Sequence, residues 1–437
     1  MELTDDYGRK RVIIKNVKPE IDRGEFPIKR AVGEKVVVEA DIFTDGHDAL
    51  SAVLLYRREG DANWTETAMS FLGNDRWRGE FKVTELIGYR YSIQAWVDTF
   101  KSWGNGLSKK VEAGQDVSVD LLIGADLIEE AAERAAGPDA GKLQQLAATL
   151  CSQEEPLIKR IKLALDDKNG ALVARYPNRD LATVYERELQ VVVDRERAGF
   201  STWYEMFPRS CSPEPGKHGT FKDCKARLPY VAAMGFDVLY LPPIHPIGQS
   251  HRKGKNNSPT VGPDDPGSPW AIGAHEGGHK DIHPQLGTLE EFRQLMTAAQ
   301  KSGLEIALDL AFQCSPDHPY VKEHPEWFLW RPDKTVQYAE NPPKKYEDIY
   351  PFDFENGRWQ ELWAELKDVL FFWLRQGVRI FRVDNPHTKP FRFWAWVIAE
   401  VKKEYPEVIF LAEAFTRPKV MYELAKLGFT QSYPPRM

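Results

Sequence analysis

Cysteine is scarce: the 437 residues hold four, Cys151, Cys211, Cys224 and Cys314, far apart and without a C-x-x-C pair. That spacing indicates neither a zinc site nor a disulfide framework, and makes a reducing cytoplasm the simplest home. Long apolar runs are missing too, and the opening Met-Glu-Leu-Thr-Asp-Asp-Tyr lacks the basic-then-apolar order of a signal peptide, so no membrane partner is expected. There is no excess of positive charge: 58 Lys and Arg stand against 65 Asp and Glu, a formal net charge of -7. This argues against nucleic acid or anionic lipid as a partner and leaves neutral or small ones. What is present is an ordinary globular composition, 42% hydrophobic and 28% charged, with 12% aromatics and thirteen tryptophans. Aromatic faces suit the C–H faces of sugar rings, although core packing accounts for most of them.

The length predicts two or three domains. From Val12 to about Trp103, residues such as Val36, Val38, Ala40 and Ile42, or Tyr89, Tyr91, Ile93 and Ala95, alternate between turn signals. Seven or so short strands at this spacing predict an immunoglobulin-like β-sandwich over residues 1–115. From about Asp116 the period becomes helical, and a helical subdomain is expected over residues 116–200, including segments at Glu155 to Asp166 and Leu181 to Arg195. From Ser201 strand and helix alternate, which predicts a doubly wound sheet or a (β/α)8 barrel. Long insertions at about 245–285 and 315–355 favour an incomplete (β/α)8 TIM barrel over residues 201–437, with five strands.

The fourth and fifth of these strands carry the chemistry. Phe-Arg382-Val-Asp384 and Phe-Leu-Ala-Glu413 each end a short apolar run in a carboxylate, and the one helix between them, Phe391 to Glu404, makes the strands parallel. Asp384 and Glu413 therefore leave the sheet at the same edge, an arrangement suited to retaining glycosyl transfer, with the carboxyls ~5–5.5 Å apart. Arg382 shares a face with Asp384 and can keep it ionised. Each residue taken singly also fits a structural ion pair or a strand cap. His275, His279, Asp281 and His283 mimic a metal site, but the intervening glycines make this stretch a loop, and no metal is expected there. The Phe391, Trp394, Val397, Ile398 stripe reads as barrel packing, and Cys314 lacks the partners of a nucleophile.

The Arg382–Asp384 and Glu413 pattern resembles the α-amylase superfamily of retaining glycoside hydrolases and transglycosylases. Further stretches resemble the bacterial maltosyltransferases that extend α-1,4-glucans from α-maltose 1-phosphate: Leu-Pro-Pro-Ile-His-Pro-Ile-Gly248, Arg252-Lys253-Gly254-Lys255-Asn256-Asn257, Gly262-Pro-Asp-Asp-Pro-Gly-Ser-Pro, Gln313-Cys-Ser-Pro-Asp-His-Pro and Asn341-Pro-Pro-Lys-Lys-Tyr346-Glu-Asp348. The resemblance implies Asp384 as nucleophile and Glu413 as general acid/base. It also implies Lys253, Gln313, Asp348 and Asn385 as residues holding maltose 1-phosphate, with Asn341, Tyr346 and Arg382 close by. An α-1,4-glucan acceptor, a homodimer built through the N-terminal and helical domains, and no metal or organic cofactor belong to the same expectation. Against the family pattern, a third acid on a later strand, three more strands and a C-terminal β-domain are missing, and the ending Pro434-Pro435-Arg436-Met437 reads as a frameshift or truncation. A five-stranded fragment is expected to expose its ladder edges and inner apolar layers, to fold poorly and to have little or no activity alone. An amylase-like hydrolase, a trehalose-forming isomerase and a non-catalytic glucan-binding remnant are the competing readings.

Overall fold

A computed structural model describes residues 8–433. The expectations drawn from the first seven residues and from the ending at 434–437 lie outside the described residues. The chain divides into two compact units, Met1–Val193 and Asp194–Met437.

In the first unit two sheets face each other across one core, the sandwich expected. One sheet has the order Ile13–Lys18, Lys35–Phe43, Arg76–Lys82, Ser70–Gly73; the other has Ile28–Ala31, Leu189–Asp194, Tyr89–Val97, Leu50–Arg58, Thr65–Ala68. The alternating Val36, Val38, Ala40 and Ile42 pack with Leu54, Tyr91, Ile93 and Ala95, so the period of two puts each strand's apolar set on the shared face. Helices Thr99–Glu112, Ser118–Arg134, Pro138–Cys151, Leu157–Ala164 and Asp167–Val173 follow.

Two segments differ from the sequence reading. The first helix starts at Thr99, inside what read as strand, because Asp98 caps it by accepting from the Lys101 N–H. Its apolar positions Phe100, Trp103, Leu107 and Val111 do have helical spacing, but Gly104 and Gly106 obscure it. The segment expected to be helical near Leu181 to Arg195 forms strands instead, at Thr183–Val184 and Leu189–Asp194. There Leu189, Val191 and Val193 alternate into the sandwich core, and β-branched valines favour that outcome.

The helices of this unit approach so closely that one position admits only glycine. A Cβ on Gly124 would lie 2.0 Å from Cζ2 of Trp103, and that indole is held by donating to the Asp120 carbonyl at 2.7 Å. Gly124→Ala is expected to destabilise the first unit by about 2 kcal/mol or more, the overpacking cost exceeding the helix propensity gained. Urea unfolding followed by tryptophan fluorescence checks this; an unchanged midpoint would show that Trp103 can move aside.

The second unit is built on a parallel sheet of six strands in sequential order: Trp203–Glu205, Val238–Leu241, Glu305–Leu310, Ile380–Asp384, Ile409–Glu413 and Gln431–Tyr433. That is one strand more than the five expected. The sixth has only three residues, two of them polar, too short to show a period. Helices Phe221–Ala233, Leu289–Lys301, Trp359–Arg375, Phe391–Glu404 and Pro418–Lys426 lie between successive strands. Capping boxes at Thr220/Asp223 and Thr288/Glu291 start the first two. Leu239, Leu241, Ile306, Leu308, Leu310, Phe381, Val383, Phe410 and Ala412 face these helices, in a core with Phe292, Trp373, Phe393 and Trp394.

The opposite face is layered, as in a barrel interior. Tyr240, Ala307, Ile380 and Ile409 stand level across four strands; Asp309, Arg382, Leu411 and Gln431 form the next level, and Asp384, Glu413 and Tyr433 the last. The expectation that the inner apolar layers are exposed is corrected here. Val238, Ala307, Ile380 and Ile409 are all buried, with Ala198 and Trp203 packed against them. Gln431 of the sixth strand donates from Nε2 to the Ala198 carbonyl at 2.8 Å, so the segment before the first strand folds over this face. Strands one and six each pair on one side only among the described residues.

Candidate active site

Asp384 and Glu413 are register partners at the C-terminal ends of adjacent parallel strands. Arg382, one level below, joins the acids around it. Its Nη1 donates to Asp309 Oδ2 at 2.7 Å and to Asp384 Oδ1 at 2.8 Å, its Nη2 lies 2.6 Å from Glu413 Oε1, and its Nε donates to the Tyr433 hydroxyl at 3.2 Å. The Tyr240 hydroxyl donates to Asp309 Oδ2 at 2.5 Å. One guanidinium thus faces three carboxylates, all with side chains at most 11% exposed.

Burial and mutual repulsion set the protonation of this cluster. Burial lifts the Glu413 carboxyl to about 7, with Arg382 opposing and the Asp384 charge adding to the rise. Asp309 is also pushed up to about 7, by burial first, with Arg382 opposing and Asp384 adding. Burial disfavours the charge on the guanidinium, and Asp309, Tyr240 and Asp384 outweigh it, so that Arg382 stays protonated.

The turn after strand four adds two features. Asn385 takes a left-handed backbone, φ 44° and ψ 54°, an uncommon conformation for a non-glycine residue. That turn lets the Asn385 N–H bond the Glu413 carboxylate, while its side-chain amide donates to Asp384 Oδ2 at 3.3 Å. Lys389 is buried, and its Nζ reaches the carbonyls of Asp384 and Asn385 at 3.4 and 3.3 Å. Burial lowers its pKa, while Asp384, Asp309 and Glu413 pull in the opposite direction.

Above this turn opens a cleft of about 1390 Å³. Lys253, Gln313, Asn341, Tyr346, Asp348, Asp384 and Asn385 all line it. Nine of the sequence-derived residues are thereby placed: these seven on the cleft, with Arg382 and Glu413 beside Asp384 beneath it. Lys253 Nζ lies 3.9 Å from Asp348 Oδ1, with both side chains nearly enclosed. Burial raises the Asp348 carboxyl and Lys253 pulls it back. Gln313 donates from Nε2 to the Trp270 carbonyl at 3.2 Å. Asn341 and Tyr346 sit on the hairpin Ala339–Asn341/Lys344–Tyr346, within the insertion after strand three.

Asp309, Tyr240 and Lys389 received no role from the sequence. Asp309 had a legible signal, an acid one residue before the end of a short apolar strand. Tyr240 and Lys389 had none, because their partners are distant in the chain or are backbone carbonyls.

The histidines resolve differently from a metal centre. His279, Cys314 and His318 do converge, their ligand atoms within 4.8 Å of one another. But His318 Nδ1 accepts from the Tyr320 N–H, so its Nε2–H donates to His279 Nδ1 at 3.0 Å, and His279 Nε2–H donates to the Ala311 carbonyl at 3.0 Å. Every ring nitrogen is used, and burial keeps both rings neutral. This relay braces the loop that carries Gln313. Of the sequence-noted cluster, His275 is exposed beside Glu276, and Asp281 accepts from the Gly278 N–H.

Comparisons with known proteins fit this geometry. A family model described as α-1,4-glucan:maltose-1-phosphate maltosyltransferase, domain N/S, matches residues 10–195, and one described as α-amylase, catalytic domain, matches residues 204–408. Among curated relatives, the α-1,4-glucan:maltose-1-phosphate maltosyltransferase of Chlorobaculum tepidum is 56% identical over 98% of this chain and 63% of its own length. That of Methylacidiphilum infernorum is 54% identical over 98% of this chain and 63% of its own. One from Cereibacter sphaeroides is 50% identical over 97% of this chain and 71% of its own. The chain thus spans about 63% of the length of the first two relatives. With half of all positions shared across nearly its whole extent, the chain belongs to the α-1,4-glucan:maltose-1-phosphate maltosyltransferase family.

Proposed function

We propose that this chain carries the donor site of a retaining maltosyltransferase that moves maltosyl units from α-maltose 1-phosphate to the non-reducing end of an α-1,4-glucan. The observation that carries the reading is the pair Asp384 and Glu413, side by side on adjacent strand ends and bridged by Arg382, under a cleft lined by Lys253, Gln313, Asn341, Tyr346, Asp348 and Asn385.

In this reading Asp384 attacks the anomeric carbon, the bond from that carbon to the phosphate oxygen breaks, and phosphate leaves with the electron pair. The β-maltosyl ester on Asp384 is then displaced by the 4-hydroxyl of the glucan end, whose proton passes to Glu413, restoring the α linkage. A carboxyl lifted to about 7 is suited to exchange a proton near neutral pH. Asn341, Asn385 and Tyr346 offer neutral donors to the phosphate and the sugar, while the Lys253–Asp348 pair supplies opposite charges that can orient hydroxyls. The same reading includes a homodimer and a cytoplasmic location. No helix among the described residues is long and apolar enough to cross a membrane, and all four cysteines are free.

Phosphate is already a good leaving group, so Glu413 matters more when an alcohol must be activated than when phosphate departs. Glu413→Gln is therefore expected to release about one equivalent of phosphate per chain and then stall with a maltosyl group on Asp384, the second step slowed ~10²–10⁴-fold. Intact-mass spectrometry after mixing with α-maltose 1-phosphate checks this. Absence of both the adduct and the phosphate burst, where the unsubstituted chain does release phosphate, would count against the proposed roles.

A further inference from the structure

Lys389 takes no part in the steps above, yet the fold buries its side chain in the cleft wall. Taking an ammonium out of water is costly unless close partners replace the water. Among the described residues those partners are two carbonyls: Nζ donates to the Asp384 oxygen at 3.4 Å and to the Asn385 oxygen at 3.3 Å. Burial works against the charge, and the carboxylates of Asp384, Asp309 and Glu413 favour it.

The two carbonyls belong to consecutive residues, and that fixes the backbone between them. In an extended strand successive carbonyls point to opposite sides, so a single donor cannot reach both. Asn385 leaves the strand in the left-handed region, φ 44° and ψ 54°, where neighbouring carbonyls lie nearly parallel. A non-glycine residue takes that conformation only at a cost, which a cation shared by the two oxygens offsets. The lysine is itself well held. Pro390 follows it and keeps its backbone extended, at φ −118° and ψ 157°, while Trp394 donates from Nε1 to the Pro386 carbonyl at 2.9 Å. From the far end of the short turn Pro386–Thr388 the side chain thus reaches back to the turn's start. What starts there is the reacting group: the Asp384 carboxylate accepts from Arg382 Nη1 at 2.8 Å and from the Asn385 side-chain amide at 3.3 Å.

We propose that Lys389 is a positioning residue for maltosyl transfer: its ammonium, by donating to both carbonyls, holds the left-handed turn at Asn385 and with it the angle at which the Asp384 carboxylate and the Asn385 amide meet the donor sugar. The inference rests on the reading of Asp384 as nucleophile. Lys389→Met keeps the length and apolar stem of the side chain and removes only the cationic donor. The Asn385 carbonyl is not orphaned by the change, since it also accepts from the Thr388 N–H at 3.1 Å and the Thr388 hydroxyl at 2.8 Å. The variant is therefore expected to stay folded and to misplace the nucleophile, and a displacement of about 1 Å at a reacting atom slows a reaction about 10²-fold.

The test places Lys389→Met in the full chain carrying Glu413→Gln and follows the maltosyl adduct by intact mass. The expected result is adduct formation about 10²-fold slower, with the affinity for α-maltose 1-phosphate, read by calorimetric titration, changed by less than about tenfold. A crystal structure of the Lys389→Met chain reads the turn without any turnover: Asn385 should leave the left-handed region, or the Asp384 carboxylate should move by about 1 Å. An adduct that forms as fast as with Lys389 overturns the proposal, and so does a turn that keeps its geometry. Loss of binding as large as the loss of rate overturns it too, since Lys389 would then hold the sugar rather than the nucleophile. If the substituted chain unfolds in urea far earlier than its parent, the ammonium braces the whole unit and the assignment to the turn is wrong. A parent Glu413→Gln chain that forms no adduct tells against the proposed transfer itself, and the crystal structure still decides whether Lys389 holds the turn.

Discussion

Arg382→Met should destabilise the second unit strongly in mild alkali and only modestly in mild acid. The guanidinium is within hydrogen-bonding distance of Asp309, Asp384 and Glu413, and its removal leaves three buried carboxyls with Lys389 as the near cation. Breaking a buried ion cluster by deleting one partner costs about 3–5 kcal/mol when the remaining charges persist. They need not persist at every pH. Asp309 and Glu413 sit at about 7 while Arg382 is present and pulls them down, so without it both rise further. A carboxyl whose folded pKa exceeds its unfolded one binds more protons folded than unfolded, so stability falls as pH rises from the unfolded value to the folded one. Below about 7 these two acids are neutral in both chains, and the variant's deficit is confined to lost hydrogen bonds, packing and the Asp384 carboxylate left without its guanidinium, a smaller loss than at high pH. Above about 7 they are charged in the parent and still protonated, at a cost, in the variant, and the deficit widens. Denaturant unfolding of both chains at about pH 5.5 and about pH 8.5 measures it. An equal deficit at the two pH values would mean that the acids do not carry the charge assigned to them. Tyr240 and Tyr433, also on the cluster, stay neutral throughout this window, their ionisation pushed up by burial.

The same cluster shows how far the sequence could be read. Asp384, Glu413 and Arg382 were legible because a short apolar run ending in an acid, a single intervening helix and a two-residue spacing fix strand direction and face without any distant partner. Helix Phe391–Glu404 fell at the expected bounds for the same reason: proline precedes it and its apolar stripe is uninterrupted. Lys253, Gln313, Asn341, Tyr346 and Asp348 were not legible in this way. They lie in insertions without period, and only their likeness to a family pointed to a common cleft. The Lys389 ammonium was missed because its bonding partners are carbonyls, which every residue has. The sixth strand was missed because three residues carry no period, and the burial of the inner layer because Ala198 and Gln431 meet across the sheet from over two hundred residues apart. Strand forms near Leu189 where helix was expected because the exposed Val192, itself apolar, masks the alternation of Leu189, Val191 and Val193.

Asp384→Asn in the Glu413→Gln background should abolish the maltosyl adduct, slowing phosphate release by on the order of 10⁴-fold or more. The amide matches the carboxylate in size and still accepts from Arg382 Nη1, so the cleft keeps its shape, while the lone pair that would attack the anomeric carbon is delocalised into the amide. Because Lys253, Gln313, Asn341, Tyr346 and Asp348 are untouched, affinity for α-maltose 1-phosphate should change by less than about tenfold, equivalent to ~1.4 kcal/mol. That split between intact binding and lost bond formation distinguishes a nucleophile from a residue that merely shapes the site. Calorimetric titration gives the affinity and intact mass gives the adduct. An adduct that survives Asp384→Asn would move the nucleophile to another carboxylate, with Asp309 poorly placed for it because its side chain is fully enclosed beneath Arg382 and Tyr240. Loss of binding together with the adduct would instead assign Asp384 to holding the sugar, and the Lys253–Asp348 side of the cleft would then be the place to measure affinity next.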